Sequence, residues 1–343
     1  MNIQSHRTAG EKQVEHVAQP NNIDDGGTSR RSVLQAGLAL AGLTSLSVSV
    51  RAQGVATAGK GTSTGFDFAS PEDNLDTLSR MWGTTEPGKI AYLYVWGPAF
   101  AMPDASSFVP LFRTESLAAV RTYPLPGGAF RYLAGQVILF TDWKTGEVLE
   151  RFRNPLTGED CEVFQYRDHP LDYVLDPRKL AERYEMQRGS DDLARRLVLD
   201  WNFRGDMAYG DAIVRTRLKN RLDPKEWPRE SVGEYWETFE SYRWQAKRRE
   251  IEDRSLRSIP SFTGDFQTFK PWEPWMLMGQ RPGKILSQKT AYKVDNFDTI
   301  PRPVMRYLDK HMMQYLEIGT EFHGQYKLND MHFKERRKPA PVP

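Results

Sequence analysis

Residues 135–168 carry the pattern that decides the fold, and they read GQVILFTDWKTGEVLERFRNPLTGEDCEVFQYRD. Three short runs rich in β-forming residues, 137–140, 148–152 and 161–166, are separated by two turns that both contain Thr-Gly-Glu. The glycine of each turn stands where the backbone needs a positive φ angle. The pattern therefore predicts that the three runs pair as an antiparallel meander.

A second β-rich block covers residues 197–222. Apolar side chains alternate with mostly polar ones on both sides of a turn at residues 204–206, which predicts a hairpin. Residues 90–96, 239–251 and 285–294 are further strand candidates.

Helices are expected only at the periphery. Asp176-Pro177 is a good cap and first turn for a helix that runs to about Met186. Helical spacing also predicts a helix over 303–316 and a short one over 75–81. The predicted fold class is mainly β: an antiparallel meander that forms a barrel or a strongly curved sheet, with a few peripheral helices.

Composition and charge exclude several classes of protein. The chain has 343 residues, of which 39% are hydrophobic and 27% charged, which excludes a collagen-like repeat or a coiled-coil rod. Its 47 basic and 45 acidic side chains give a net charge of +2, which provides no global field toward nucleic acid or an anionic membrane. Cys161 is the only cysteine, so an internal disulfide and a Cys-built metal site are excluded.

The N-terminal segment resembles a twin-arginine (Tat) signal peptide. Arg30 and Arg31 stand in the sequence SRRSVLQ, and an uncharged run of small and apolar residues follows over 33–50. Arg51 directly after this run is typical of Tat signals. The resemblance implies that the Tat translocase is a partner and that the mature protein is periplasmic or secreted.

The end of the signal is expected after Ala52, with Ala58 as the alternative, because both follow a small-x-Ala pattern. Small and hydroxyl residues dilute the uncharged run, so no stable membrane anchor is predicted. The alternative is a cytosolic protein in which this segment is a helix that packs on the core.

The mature chain is expected to hold one domain. Residues 1–52 form the signal peptide and residues 53–65, rich in Gly, Ser, Thr and Ala, a flexible linker. Composition is even over 66–318, which predicts a single β-rich domain. The polar tail, 319–343, is expected to be loose.

Three phrases carry a family resemblance: NPLTGE at 154–159, PWEPWMLMG at 271–279 and RPG at 281–283. Together they resemble the family catalogued as domain of unknown function 1838, over roughly residues 70–315. Where the family usually has Asn-Asp-Pro, this chain reads RDHP at 167–170. The resemblance implies export and one β-rich domain, and it implies no activity.

The strongest enzyme motifs are absent from the sequence: a Walker-type loop, a dinucleotide-binding Gly-x-Gly-x-x-Gly, His-Glu-x-x-His and the nucleophile elbow. No cofactor is therefore predicted, although sites assembled from distant strands stay possible. His169, His311, His323 and His332 show no ligand spacing, so no metal site is predicted.

Asp168-His169, close to Tyr166, is the best acid–base candidate. An imidazole titrates near neutral pH, and a neighbouring carboxylate can raise its pKa. Because Pro170 follows, the alternative is a plain turn at the end of a strand.

The segment around Trp272 and Trp275 is the best candidate for ligand binding. Two prolines stiffen it, Met276 adds apolar surface, and Glu273 could anchor a polar group of the ligand. The alternative is that the two indole rings form a plug in the core.

Arg243 is a further candidate ligand contact. It opens the basic stretch RWQAKRRE at 243–250, but acidic residues follow immediately. The local field is therefore nearly neutral, and the stretch predicts a solvated strand face rather than a nucleic-acid surface.

Two functions fit these observations. The first is a periplasmic protein that binds a small apolar or aromatic molecule in a β-barrel cavity. The second is a lyase, isomerase or hydrolase without a cofactor on the same scaffold. An Asp168 or His169 that points into the same cavity as Trp272 and Trp275 would favour the enzyme.

Overall fold

A computed structural model describes residues 65–104, 107–177, 199–321, 324 and 327–342. The Tat-like segment and most of the linker lie outside the described residues. The helix predicted from Asp176 lies almost wholly outside them as well. The structure therefore does not test the predicted signal peptide, the predicted linker or the predicted helix.

The described residues are mainly β-structure, as the sequence predicts. Their strands are β1 (Ala91–Met102), β2 (Val109–Pro124), β3 (Phe130–Thr141), β4 (Arg151–Arg153), β5 (Asp160–Glu162), β6 (Tyr166–Leu175), β7 (Asp200–Arg204), β8 (Met207–Lys219), β9 (Tyr235–Lys247), β10 (Thr263–Lys270) and β11 (Lys284–Val294). Nine strands form one antiparallel sheet in the order β6-β3-β2-β1-β11-β10-β9-β8-β7. β4 and β5 pair separately as a two-stranded sheet.

Helices are few and lie at the ends and faces of the sheet. They are α1 (Pro71–Trp82), α2 (Arg248–Glu252), α3 (Arg302–His311) and α4 (Asn329–Arg336), with short 3-10 helices at Pro126–Gly128, Pro274–Met276 and Met313–Tyr315. Ser70 caps α1, because its side chain accepts a hydrogen bond from Asp73 N. In the described part of the chain, no helix combines the length and apolar character that crossing a bilayer requires.

The predicted local pairing of the three runs in residues 135–168 is confirmed, since Thr141 bridges Val148 and β4 pairs with β5, but the second run and most of the third lie outside the main sheet. β3 pairs directly with β6, with Ile138 opposite Tyr166 and Gln136 opposite Asp168. The residues between them leave the main sheet and form the β4–β5 pair, because Phe152 and Cys161 are buried against another part of the chain. The hairpin at 204–206 is confirmed, with Gly205 at φ 59°.

The sheet is antiparallel as predicted, but among the described residues it does not close into a barrel. β6 and β7 are its two edges and do not pair with each other. The sheet is nevertheless curved, because side chains from β6 and from β8 and β9 border one common cavity. The strands near the two edges face each other across a concave face.

Two apolar clusters fill the ends of the concave face. At one end, α1 packs on the sheet, and Trp82 lies 6.1 Å from Trp244 between ring centroids. At the other end, Trp275 of the 3-10 helix packs on Phe112 and Phe140. The convex face carries α3, whose Leu308 is buried with apolar residues of β1, β2 and β3.

The predicted loose tail is wrong for residues 327–337. Lys327 exchanges backbone hydrogen bonds with His169 and Pro170 of β6, at 3.0 and 3.1 Å. The helix α4 follows, and its His332 and Phe333 are buried. Apolar contact and edge pairing hold this polar segment, and neither shows in its composition.

Candidate functional site

A cavity of about 250 Å³ lies on the concave face between the two apolar clusters. Strands from both halves of the sheet and the start of α4 enclose it. Its apolar wall consists of Val95, Ile138, Leu218, Leu222, Trp236, Phe266, Pro274, Leu328 and Phe333. This size suits a small organic molecule.

A band of polar side chains crosses the sheet where the two apolar clusters stop. The polar band consists of Ser116, Gln136, Asp168, Thr238, Glu240, Thr268, Ser287 and Lys289. Antiparallel pairing aligns its members, since Gln136 is opposite Asp168, and Thr268 is opposite both Glu240 and Ser287. Apolar side chains at these positions would join the two clusters into one core. The polar side chains therefore lower the stability of the fold relative to apolar ones at the same positions.

Tyr166 and Glu273 meet at one side of the cavity. The Tyr166 hydroxyl donates a hydrogen bond of 2.9 Å to Glu273 Oε2, and Lys270 forms an ion pair with Oε1 of the same carboxylate. Burial, and then the charge of Glu273, raise the pKa of Tyr166 well above its usual value. The phenol therefore stays protonated and remains a hydrogen-bond donor.

Glu240 lies in the polar band on β9. The Tyr242 hydroxyl donates a hydrogen bond of 2.8 Å to its Oε2, and Oε1 has no hydrogen-bond partner in the described part of the chain. Burial raises the pKa of Glu240 above its ordinary value, although the hydrogen bond from Tyr242 opposes this shift. Glu240 thus combines a free carboxyl oxygen with a pKa moved toward neutral pH.

Lys289 is the cation of the polar band. It has neither an ion pair nor a hydrogen bond among the described residues. Burial, and then the charge of Lys270, lower the pKa of Lys289 to about 8. The other cations that border the cavity differ, because Lys270 is paired with Glu273, Arg221 with Asp330, and Lys219 is exposed.

Asp168 joins the cavity to the C-terminal segment. Its Oδ1 accepts a hydrogen bond of 2.9 Å from Asn329 N, and its Oδ2 one of 3.3 Å from Asn329 Nδ2. Burial raises the pKa of Asp168 to about 7, against the opposing effect of the Asn329 bonds. Both oxygens are engaged, so this carboxyl group fixes the start of α4 at the cavity wall.

Gln136 has an unused acceptor at the cavity. Its Nε2 donates a hydrogen bond of 2.8 Å to Ser116 Oγ, whereas its Oε1 has no partner among the described residues, although Gln136 is 2% exposed. Buried amide oxygens are rarely left unpaired. Gln136 therefore offers a hydrogen-bond acceptor to a ligand.

Three sequence-predicted residues come together in this cavity: Tyr166, Asp168 and Glu273. His169 does not join them. Its Nε2 lies 3.4 Å from the carbonyl oxygen of Glu317, and its ring lies 5.9 Å from that of Tyr315. The register between β3 and β6 shifts between Ala134 and Gln136. At this irregularity the side chains of Asp168 and His169 point in different directions.

Trp272, Trp275 and Met276 are buried in the core beside the cavity and do not line it. The structure therefore matches the core-plug alternative for their packing. Arg243 lies on the opposite face of β9 from Glu240 and Tyr242, where it pairs with Asp211 at 2.8 Å. The strand period of two places it away from the cavity.

The NPLTGE and PWEPWM phrases meet in the structure. Asn154 is fully buried, and its Nδ2 donates a hydrogen bond of 3.1 Å to the carbonyl oxygen of Met276. The contact fixes the turn after β4 to the 3-10 helix that precedes β11. These phrases thus shape the wall that holds Glu273.

Sequence reasoning missed Glu240, Lys270 and Lys289. No motif marks them, and each stands alone in its strand. The available signal was a charged residue on an alternation of mostly apolar side chains, as with Glu240 between Trp236 and Trp244 on β9. In the described ranges, no group of three or more His, Cys, Asp or Glu is placed to hold a metal ion. His323 lies outside them.

Comparison with protein-family models matches residues 89–331 to the family described as "Protein of unknown function (DUF1838)". The matched range contains every cavity-lining residue named above except Phe333. No curated protein matches the chain.

Proposed function

The chain belongs to the DUF1838 family, whose function is unknown, and from this premise we propose that it is an enzyme that binds a small organic molecule in the concave cavity and transfers a proton. The reaction class is that of a lyase, isomerase or hydrolase. The apolar wall receives the apolar or aromatic part of the molecule, and the polar band acts on the rest.

One observation carries the proposal: Glu240 faces the cavity with one carboxyl oxygen free and a pKa raised by burial. A proton acceptor works best at pH 7 when its pKa is close to 7. Burial raises the pKa of Asp168 as well, to about 7, but Asn329 occupies both of its oxygens. Glu240 is therefore the proposed proton acceptor, and Asp168 the residue that positions α4.

The Tyr166–Glu273–Lys270 group supports the same reading. Tyr166 lies on β6, and Lys270 and Glu273 lie at and after the end of β10. The hydrogen bond and the ion pair to Glu273 hold the three side chains in place. Such a fixed group orients a bound molecule. The bound molecule can also donate a hydrogen bond to Gln136 Oε1. The alternative is a protein that binds the molecule without reacting with it. The apolar wall of the cavity supports binding in both cases and does not distinguish them.

The test uses 5-nitrobenzisoxazole, a neutral aromatic molecule that opens to a coloured phenolate when a base removes one proton. The full chain should accelerate this reaction, with a rate that rises with pH through the raised pKa of Glu240. Glu240→Gln should lower the rate at least about tenfold, since it removes the base. The matched control is Glu237→Gln, on the outer face of the same strand, where Glu237 pairs with Arg215.

Turnover that is equal in E240Q and in the unmodified chain would overturn the assignment of Glu240. Tight binding of the probe without turnover would favour the binding protein over the enzyme. Far-UV circular dichroism on both variants controls for loss of folding.

We also propose export by the Tat translocase into the periplasm or beyond. The paired Arg30 and Arg31, the uncharged run and the small-residue exit support it. All of these residues lie outside the described part of the chain.

A further inference from the structure

Lys289 is an ammonium group at a cavity in which two of the other cations are already paired. Lys270 is paired with Glu273, and Arg221 with Asp330 at 2.6 Å. No described residue pairs with Lys289. The charge of Glu240, in the same cavity, acts on Lys289, but the two side chains form no direct ion pair, so a bound anion would give the ammonium a direct partner.

The surroundings of Lys289 limit the kind of anion. Phe266 is its register partner on β10, and Val95 and Ile138 also border the cavity. These side chains give apolar surface for a hydrocarbon or aromatic group close to the ammonium. A bare inorganic ion would leave that surface without contact, whereas an organic acid uses both parts.

We infer that the substrate carries a carboxylate, and that Lys289 binds this carboxylate while the apolar wall holds the remainder. This inference rests on the proposed function, since it concerns the molecule that the cavity receives. Lys289 is then a binding residue and Glu240 the proton acceptor, and the charge of Lys289 favours the ionised form of Glu240.

Burial and the charge of Lys270 lower the pKa of Lys289 to about 8, and the charges of Glu273 and Glu240 act in the opposite direction. A carboxylate beside the ammonium favours the protonated form and raises this pKa. Binding of a carboxylate near pH 8 should therefore take up a fraction of a proton, and affinity should fall at higher pH. A neutral molecule of the same shape should do neither.

The experiment compares benzoate with benzamide, its neutral counterpart of nearly equal size, by titration calorimetry on the full chain. Benzoate should bind at least about tenfold more tightly, the typical worth of a charge-assisted hydrogen bond. Lys289→Met should abolish this preference and keep benzamide binding, and Lys289→Arg should retain the preference. Lys144→Met, at an exposed turn, is the control and should change nothing.

Equal binding of benzoate and benzamide, or a benzoate preference that survives K289M, would overturn the carboxylate inference. The proposed function would still stand if 5-nitrobenzisoxazole were turned over in that case. Absence of binding by both molecules, together with absence of turnover, would overturn both. Titration in buffers of different ionisation enthalpy measures the proton uptake.

Discussion

The hydroxyl of Tyr166 lies 2.9 Å from Oε2 of Glu273, although 107 positions of sequence separate the two residues. Tyr166 begins the edge strand β6, and Glu273 follows β10 in the other half of the sheet. The bond therefore crosses the concave face and ties the two halves together. It exists only because the sheet is curved.

Replacing Tyr166 by Phe should lower the free energy of unfolding by about 1–3 kcal/mol, because Glu273 loses a donor while it stays buried. Urea unfolding of the full chain measures this loss. The control is Tyr132→Phe, since the buried Tyr132 hydroxyl has no hydrogen-bond partner among the described residues. That change should be neutral or slightly stabilising, and equal losses in both variants would contradict the role given to the Tyr166–Glu273 bond.

Replacing Asn154 by Ala should cost about 1–3 kcal/mol, because the buried carbonyl of Met276 loses its amide donor and keeps only the weak thiol donor of Cys161. The matched variant is Asn296→Ala, at an exposed turn where the Asn296 side chain accepts a bond of 3.0 Å from Asp298 N. Thermal unfolding should separate the two clearly. A small effect at both sites would mean that the contact between the two family phrases contributes little to stability.

Replacing Trp275 by Ala should cost about 3–5 kcal/mol, because Trp275 is 2% exposed and packs on Phe112, Phe140 and Phe152. Trp96→Ala, at a site 41% exposed, should cost far less. Chemical denaturation of both variants gives the comparison. A stable W275A that had lost only its affinity for benzoate would instead support the pocket alternative.

Acid should weaken the attachment of α4 through His332. Burial, and secondarily the charges of Arg167 and Lys327, lower the pKa of His332 to about 4, from 6.5 in an unfolded chain. Between these values the unfolded state binds more protons, so stability is full above about pH 6.5 and declines as the pH falls toward 4. His332→Gln should remove this component.

The measurement is the difference in unfolding free energy between the unmodified chain and H332Q as a function of pH. This difference should turn against the unmodified chain below pH 6.5. The control variant is His311→Gln, on the exposed side of α3. A difference that is constant with pH would contradict the assignment.

Replacing Arg30 and Arg31 together by Lys should stop export, because the planar guanidinium groups are not replaced by ammonium groups. Cell fractionation followed by immunoblotting detects the mature protein in the periplasm. The control, Arg7→Lys, keeps the pair intact and should be exported normally. Normal export of the double variant would refute the Tat interpretation.

Local pattern was sufficient for the strand hairpin at 204–206 and for the predominance of β-structure. The alternation of side chains and the glycine turns depend on neighbouring residues, so they can be recognised without the rest of the fold. The pairing of strands that lie far apart in the chain cannot be recognised in this way. β3 pairs with β6 and leaves β4 and β5 aside, because Phe152 and Cys161 are buried against the segment that contains Met276.

Some residues of the candidate site could likewise be predicted from local sequence, and others could not. Tyr166, Asp168 and Glu273 could be selected by sequence, because two stand together at the end of a strand and one lies within a distinctive phrase. Glu240, Lys270 and Lys289 could not. Each is an ordinary charged residue in its own strand, and the pairing of β9, β10 and β11 brings them to one cavity.

The sequence by itself determined the predominance of β-structure, the glycine turns and the family to which the chain belongs, because these depend on local propensity and on contiguous phrases. It did not mark β2 or β10, and residues 248–251, predicted as strand, belong to α2. The tertiary structure decided which charges are buried together and which stay in water. That choice depends on long-range burial. Lys289 and Lys144 are the same residue type, yet one lies unpaired in a cavity and the other stands exposed at a turn.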